Sequence, residues 1–221
     1  MKIGIIGVGH IGGTLTRRLR TLNHDVAVAN SRGPETLADI AAETGAKAVS
    51  VSEAAAGQDL VIVTVPEKSI PALPKDLFAK TPAATVVVDT GNYYPERDGR
   101  IDAIESGTPE SRWVSDHLGR PVVKAFNNIH SEHLMNSGRP AGTPGRIALP
   151  IAGDDATAKA MVSRLIDSLG FDAVDGGGLD ESWRQQPGTP VYGKDFDADG
   201  VRSALAAAPK ERPVEFRAKQ L

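Results

Sequence analysis

The sequence predicts an α/β fold, a doubly wound parallel sheet with a small C-terminal extension, and three observations predict it. Short apolar runs of strand length recur from Lys2 to Val174, segments of helical period separate them, and the first run ends in a glycine cluster that opens the first helix. With 40% hydrophobic and 24% charged residues among 221, the chain has enough apolar material for a sizeable core.

Lys2 to Ile6 is a buried strand ending in glycine. In Ile11 to Leu22, the residues Ile11, Leu15, Leu19 and Leu22 share one helical face, while Arg17, Arg18 and Arg20 face elsewhere. Asp25 to Ala29 is a second strand. Pro34 to Thr44 reads as a helix with proline in its first turn and Gly45 as its stop. Ala46 to Val49 is a weak third strand, and Ser52, next to Glu53, caps an alanine-rich turn of helix. Asp59 to Val65 has the strongest strand pattern, apolar through its middle as a central parallel strand should be. Ile70 to Phe78 is expected to hold a helix confined by Pro71 and Pro74. Thr85 to Asp89, Pro121 to Phe126 and Ile147 to Ala152 are further strands. The helix Asp154 to Leu169, stopped by Gly170, leads to the last strand, Phe171 to Val174. This alternation gives right-handed crossovers and a sheet covered on both faces. Beyond the Gly176-Gly177-Gly178 turn the pattern stops, leaving one helix, Ala198 to Ala207, and a polar end, Lys210 to Leu221. The expected division is therefore 1–178 for the wound domain and 179–221 for a tail on the substrate side.

A formal charge of -3 and a pI near 6.0 lack the basic excess of a nucleic-acid binder, so no such partner is expected. Without cysteine the chain can form no disulfide, thiolate metal site, iron–sulfur cluster or cysteine nucleophile, which fits a reducing compartment. The longest apolar stretch, Leu60 to Val65, is strand-sized, and the start of the chain lacks the long apolar region of a signal peptide. A soluble, cytoplasmic protein with no membrane partner is expected.

Gly7-Val8-Gly9-His10-Ile11-Gly12 is a G-x-G-x-x-G run placed directly after the first strand and opening the first helix. That context, more than the pattern itself, points to dinucleotide binding. Gly7 permits the tight turn, Gly9 lets a pyrophosphate approach the backbone, and Gly12 lets helix and strand pack closely. The N–H groups of the helix start then hold the anion. An ordinary strand–helix turn that needs small residues is the competing reading. The second strand ends in Asn30-Ser31-Arg32, with no carboxylate before Glu35. A carboxylate there would repel the extra phosphate of NADP, whereas Arg32 can grip it with a planar fork and Ser31 can donate a hydroxyl bond. NADP(H) is expected over NAD; an Arg32 merely solvated in a surface loop is the alternative.

Three later strand ends add polar groups: Val65-Pro66, Asp89-Thr90-Gly91-Asn92-Tyr93-Tyr94, and Lys124-Ala125-Phe126-Asn127-Asn128, which His130 and His133 follow. Together they make a candidate nicotinamide wall. A metal site at His130 and His133 would need a third ligand at a recognised spacing, and none is nearby, so no metal is expected. His130 either gates or donates to a substrate or packs at the surface.

The glycine loop, Asn30-Ser31-Arg32-Gly33-Pro34-Glu35-Thr36-Leu37, Lys124-Ala125-Phe126-Asn127 and Ala152-Gly153-Asp154-Asp155 together resemble the NADPH-dependent coenzyme F420 reductase family, over roughly residues 1–178. The resemblance implies a Rossmann domain with a small C-terminal part, a homodimer, and hydride passing between NADPH and a deazaflavin or flavin ring, with coenzyme F420, FMN or FAD as the small-molecule redox acceptor. It carries family cofactor contacts onto Gly7, Gly9, His10, Ile11, Gly12, Ser31, Arg32, Val65 and Pro66, with Val8 and Asn30 beside them, and nicotinamide-side contacts onto Asn92, Ala125 and Asn127. The chain departs from the family pattern at Thr90 to Tyr94, in the polar segment Pro95 to Arg120, and in the tail Ser182 to Tyr192. All three are expected on the substrate side.

Hydride transfer between stacked rings needs apposition and exclusion of water, so no catalytic acid–base constellation is expected. Tyr93, Tyr94 and Trp183 can form an aromatic wall for a flat acceptor, with Arg184 or His130 at its polar edge; Trp183 can equally be a plug that anchors the tail. Two competing functions share the cofactor domain: a reductase of another small substrate, and a non-catalytic NADP(H) sensor.

Overall fold

The computed structural model of the protein describes residues 1–219; Gln220 and Leu221, the last of the predicted polar end, lie outside the described residues. In chain order the elements are β1 (Lys2–Ile6), α1 (His10–Thr21), β2 (Asp25–Ala29), α2 (Ala38–Thr44), β3 (Lys47–Ala48), α3 (Val51–Ala55), β4 (Leu60–Val63) and β5 (Val86–Asp89). Then come α4 (Pro95–Asp98), α5 (Asp102–Glu105), α6 (Glu110–Leu118), β6 (Val122–Lys124), α7 (Ser131–Asn136), β7 (Ala148–Ile151), α8 (Ala156–Ser168), β8 (Asp172–Asp175) and α9 (Ala198–Ala206).

Six parallel strands pair in the order β3-β2-β1-β4-β5-β6, the arrangement of a dinucleotide-binding doubly wound sheet. Alternation along each strand divides the core in two. Ile3, Ile5, Val26, Val28, Leu60, Ile62, Val86 and Val88 face α1, α7 and α8, while Ile6, Val61, Val63 and Val87 face α3 and α6. Pairing of Ile6 with Ala29 and Val63, of Val63 with Asp89, and of Asp89 with Lys124 lines up the carboxyl ends of five strands. The residues that follow those ends, Gly7, Asn30, Thr64, Thr90 and Ala125, therefore share one edge.

The structure departs from the sequence expectation at five places. The short helix after β3 is capped by Ser50, not Ser52: the Ser50 side chain accepts from Glu53 N, and the Glu53 carboxylate accepts from Ser50 N, a reciprocal box. Within 34–44 the first turn, Pro34–Leu37, is a 3-10 turn rather than α-helix. Ile70 to Phe78 forms no α-helix; a 3-10 turn spans Glu67–Ala72, because Pro71 and Pro74 remove the N–H groups a longer helix needs. The strands predicted at 147–152 and 171–174 stand outside the main sheet. They are β7 and β8, a separate parallel pair joined to it by one antiparallel bridge in which Lys124 and Ala152 exchange backbone bonds of 2.8 and 3.1 Å. Finally, Pro95 to Arg120 is the β5–β6 crossover. Its α6 packs Trp113 and Val114 into the core, and Ser111 at its start reaches Asp89 at the end of β5.

The C-terminal segment packs back on this frame. The 3-10 segment Leu179–Gln185 lies on α6 and β6, and α9 covers β7 and β8 with Val201, Ala204 and Leu205. Among the described residues, no helix is long and apolar enough to cross a membrane.

Candidate functional site

The turn after β1 is built by three glycines with three different neighbourhoods. Gly7 has φ 101°, and a Cβ there would stand 2.3 Å from Thr64 O. A Cβ at Gly12 would stand 2.0 Å from Gly7 O, so close packing of α1 on the strand demands glycine. A Cβ at Gly9, by contrast, would meet nothing within 4 Å. Protein packing does not require glycine at position 9; the space beside it is open. Gly9 is also the N-cap of α1, no side chain caps that helix, and its first turn holds no acidic residue. A twelve-residue helix thus presents uncapped N–H groups and the positive end of its dipole to an open space, which suits an anion. Val8 and Ile11 are half-buried against the core, and His10 is exposed.

One strand over, Asn30 shapes the loop after β2. Its Oδ1 accepts from Arg32 N at 2.9 Å and its Nδ2 donates to Thr36 Oγ1 at 2.9 Å. The Asn30 side chain is thereby occupied by the loop itself. Ser31 and Arg32 are exposed, and among the described residues the Arg32 side chain has neither a hydrogen bond nor an ion pair. Both arrangements, the open start of α1 and the uncommitted guanidinium beside it, fit a dinucleotide with an additional phosphate.

Val65 and Pro66 carry the chain over the end of β4, half-buried. Across the β5 and β6 ends two asparagines lock together: Asn92 Nδ2 donates to Asn127 O at 2.8 Å, and Asn127 Nδ2 donates to Asn92 Oδ1 at 3.0 Å. Asn127 is also held from behind, since its Nδ2 reaches Gln185 O at 2.7 Å and its Oδ1 accepts from Gln185 Nε2 at 2.9 Å. Phe126, fully buried, has φ 61°, a conformation bulky residues adopt only under constraint, and it redirects the chain between Ala125 and Asn127. Ala125 is itself wholly buried in the core, so its backbone alone can face a ligand.

The predicted aromatic wall assembles differently. Tyr93 leaves it: the ring is fully buried among Trp113, Val114 and Leu179, and its hydroxyl bonds Gly99 O at 3.0 Å and Glu105 Oε1 at 2.9 Å. Burial pushes the Tyr93 phenol up to about 12. Tyr94 instead pairs hydroxyl to hydroxyl with Tyr192, a residue sequence reasoning read only as part of a tail. Burial, then the Tyr94 hydrogen bond, raises the Tyr192 phenol above the ordinary tyrosine range. The Tyr192 segment continues past His130, whose Nε2 lies 3.6 Å from the Cβ position of Gly193, to Asp195, whose Oδ2 is 2.6 Å from His133 Nδ1. Tyr94, Tyr192 and His130 thus come from three segments that converge at the strand ends. Trp183 and Arg184 do not join them. Arg184 stacks 4.4 Å over the Trp183 ring, and Trp183 lines another cavity whose walls include neither Tyr94 nor His130.

Beneath the β4–β6 ends lies a buried charge cluster with no counterpart in the sequence reading. Asp89 Oδ1 accepts from Gly91 N and its Oδ2 from Ser111 Oγ. Lys124 Nζ donates to Gly91 O at 3.1 Å and stands 3.5 Å from Glu110 Oε2, while Arg212 Nη2 donates to Glu110 Oε1 at 2.6 Å. Glu67 lies fully buried beside them, and neither of its carboxyl oxygens has a partner among the described residues. Gly91 is glycine because a Cβ there would stand 2.4 Å from Glu67 Oε1. Desolvation raises the Glu67 carboxyl well above its ordinary range; Asp89 and Glu110 add to the rise, and Lys124 opposes it. The folded protein therefore keeps a proton that the unfolded chain releases above about pH 4.3, and folding stability falls as pH rises through that window. Glu67→Gln is expected to remove this loss. In thermal melts taken upward from pH 5 the variant should gain steadily on the parent for as long as the parent retains the proton. Parallel melting curves would show Glu67 ionised in the fold.

The comparisons agree with this geometry. The family described as NADP oxidoreductase, coenzyme F420-dependent, matches residues 2–93, from β1 through the end of β5 to Tyr93. The Escherichia coli K12 protein YjhV is 41% identical over 100 residues, 45% of this chain; the match spans 64% of that relative's length. The crystal structure of the hypothetical protein SMa0349 from Sinorhizobium meliloti superposes with a TM-score of 0.74 at 31% identity, covering 89% of this chain and 95% of that one. A structure from Arthrobacter sp. FB24, provisionally named an F420-dependent NADP-reductase, gives a TM-score of 0.65 at 25% identity over 81% of this chain and 86% of that one. The glycine loop, the strand order and the family match agree that residues 2–93 are similar to the coenzyme F420-dependent NADP oxidoreductases.

Proposed function

We propose that the protein passes hydride between NADPH and a planar deazaflavin or flavin acceptor. The observation that carries this reading is the open, uncapped start of α1 at Gly9 and, one strand over, Arg32, whose side chain is unpaired among the described residues. On this reading the loop from Gly7 to Gly12 receives the pyrophosphate, and Ser31 and Arg32 receive the adenosine phosphate on a turn shaped by Asn30. Val65, Pro66, Asn92, Asn127 and the Ala125 backbone flank the nicotinamide, with residues 1–178 as the dinucleotide domain. When bound, the dinucleotide supplies or accepts the hydride. The chain's own part is to orient: the Asn92–Asn127–Gln185 lock fixes the floor, and the strained Phe126 keeps Asn127 in register with Asn92.

The Tyr94–Tyr192 pair favours a second reading, because two joined phenols can hand a proton to a developing alkoxide or amide as well as border a flat ring. A small carbonyl or imine substrate would use that property.

NADPH oxidation, followed at 340 nm with oxidised coenzyme F420, FMN, or a panel of small ketones and imines, separates the two. Saturable turnover with a planar acceptor is the expected result. Turnover with the carbonyl panel alone would replace it by the second reading, and NADPH binding without turnover would leave a binding protein.

A further inference from the structure

A cavity of about 470 Å³ lies between the α5–α6 turn, Trp183 with Gln186, and the C-terminal segment Lys210 to Arg217. Its volume is that of a small-molecule pocket, and neither the α1 cradle nor the Tyr94–Tyr192 wall contributes to its lining.

The walls carry charges of both signs. Three cations, Lys210, Arg212 and Arg217, face two carboxylates, Glu105 and Glu211. Each carboxylate is engaged through one oxygen: Glu105 Oε1 accepts from Tyr93 and from Ala218 N, and Glu211 Oε1 pairs with Arg217 at 2.8 Å. Lys210 makes no ion pair among the described residues. Gln186 is 7% exposed, yet among the described residues its Nε2 has no partner, although its Oε1 accepts from Arg212 Nη2 at 3.0 Å; Arg212 Nη1 has none there either. Buried amides and guanidiniums are rarely left unpaired, because desolvation then goes uncompensated. Pro109, also in the lining, is the N-cap of α6, whose first turn already holds the buried Glu110. An aromatic platform completes the wall, the Trp183 indole with its plane fixed by Arg184.

We propose that this cavity is a second ligand site, for a planar molecule carrying a phosphate, with its ring on Trp183 and its phosphate toward Lys210 and the unpartnered Nε2 of Gln186. A phosphate satisfies several donors at once, and an aromatic ring stacks where an indole is partly exposed.

The test uses AMP as a redox-inert probe of that chemistry and adenosine as its neutral counterpart, with the protein saturated in NADP⁺ so that the dinucleotide cleft is occupied. Calorimetry and quenching of tryptophan fluorescence report binding. AMP is expected to bind saturably with a Kd below about 1 mM and adenosine about tenfold more weakly or worse. Lys210→Glu, an exposed change, and Trp183→Leu should each weaken AMP about tenfold while NADP⁺ affinity and Tm stay those of the parent. Absence of saturable AMP binding, equal binding of adenosine, or AMP binding indifferent to both substitutions overturns the proposal. Because NADP⁺ affinity is measured in parallel, failure here is distinguishable from failure of the dinucleotide assignment.

Discussion

Gly9→Val is expected to fold as the parent does and to lose NADPH affinity by about a thousandfold, the worth of two or more charge-assisted hydrogen bonds to a pyrophosphate. The expectation rests on the asymmetry among the loop glycines. A Cβ at position 9 meets nothing within 4 Å, and its φ of -84° is ordinary for any residue. The valine side chain therefore fills the space that the uncapped α1 start faces, without disturbing the protein around it. At Gly12 the same change drives a Cβ to 2.0 Å from Gly7 O and 2.7 Å from Thr64 Cγ2, so Gly12→Val should lower Tm or prevent folding. Calorimetric titration beside thermal melts reads both quantities. A Gly9→Val protein that bound NADPH normally would remove the pyrophosphate from this loop.

The second large effect concerns the choice between dinucleotides. Arg32→Ala should weaken NADPH by about 1.5–3 kcal/mol, roughly tenfold to a hundredfold, and leave NADH nearly unchanged. Arg32 is exposed and makes no intramolecular bond among the described residues, so its removal costs the fold little. The loop shape should survive as well, since Asn30 Oδ1 bonds the backbone N–H of residue 32 and not its side chain. The NADPH preference should shrink as salt rises, as expected for an exposed charge pair. Equal loss for NADPH and NADH would assign Arg32 to the shape of the loop instead of to the phosphate.

These two residues show what kind of information the sequence carried. The glycine loop, β2, β4, β5 and α8 are legible because each announces itself locally, through period, cap or glycine spacing. Partnership between distant segments is not local. An apolar run such as Ala148–Ile151 reads the same whether it enters the main sheet or, as here, a separate pair. Adjacent aromatics mislead for a related reason: Tyr93 and Tyr94 project to different sides of the turn, so one is buried in the core and the other meets Tyr192. Tyr192 itself had no signal beyond its presence in a turn-rich tail. Ser50 was available to a closer reading, since Ser50-Val51-Ser52-Glu53 contains the spacing of a reciprocal cap. Glu67 was not: a charged residue after proline reads as a solvated turn, and only the packing of Gly91, Asp89 and Glu110 around it shows otherwise.

The backbone bridge between Lys124 and Ala152 is one of several ties between the two sheets. Leu149 and Ile151 of β7 share a buried cluster with Ile3, Ile5 and Val88 of the main sheet, Gly193 N donates to Asn128 O at 3.0 Å, and Tyr192 meets Tyr94. Segments that share one core open together. A change that loosens the C-terminal segment is therefore felt at the β5 and β6 ends, through the Gln185–Asn127 bonds.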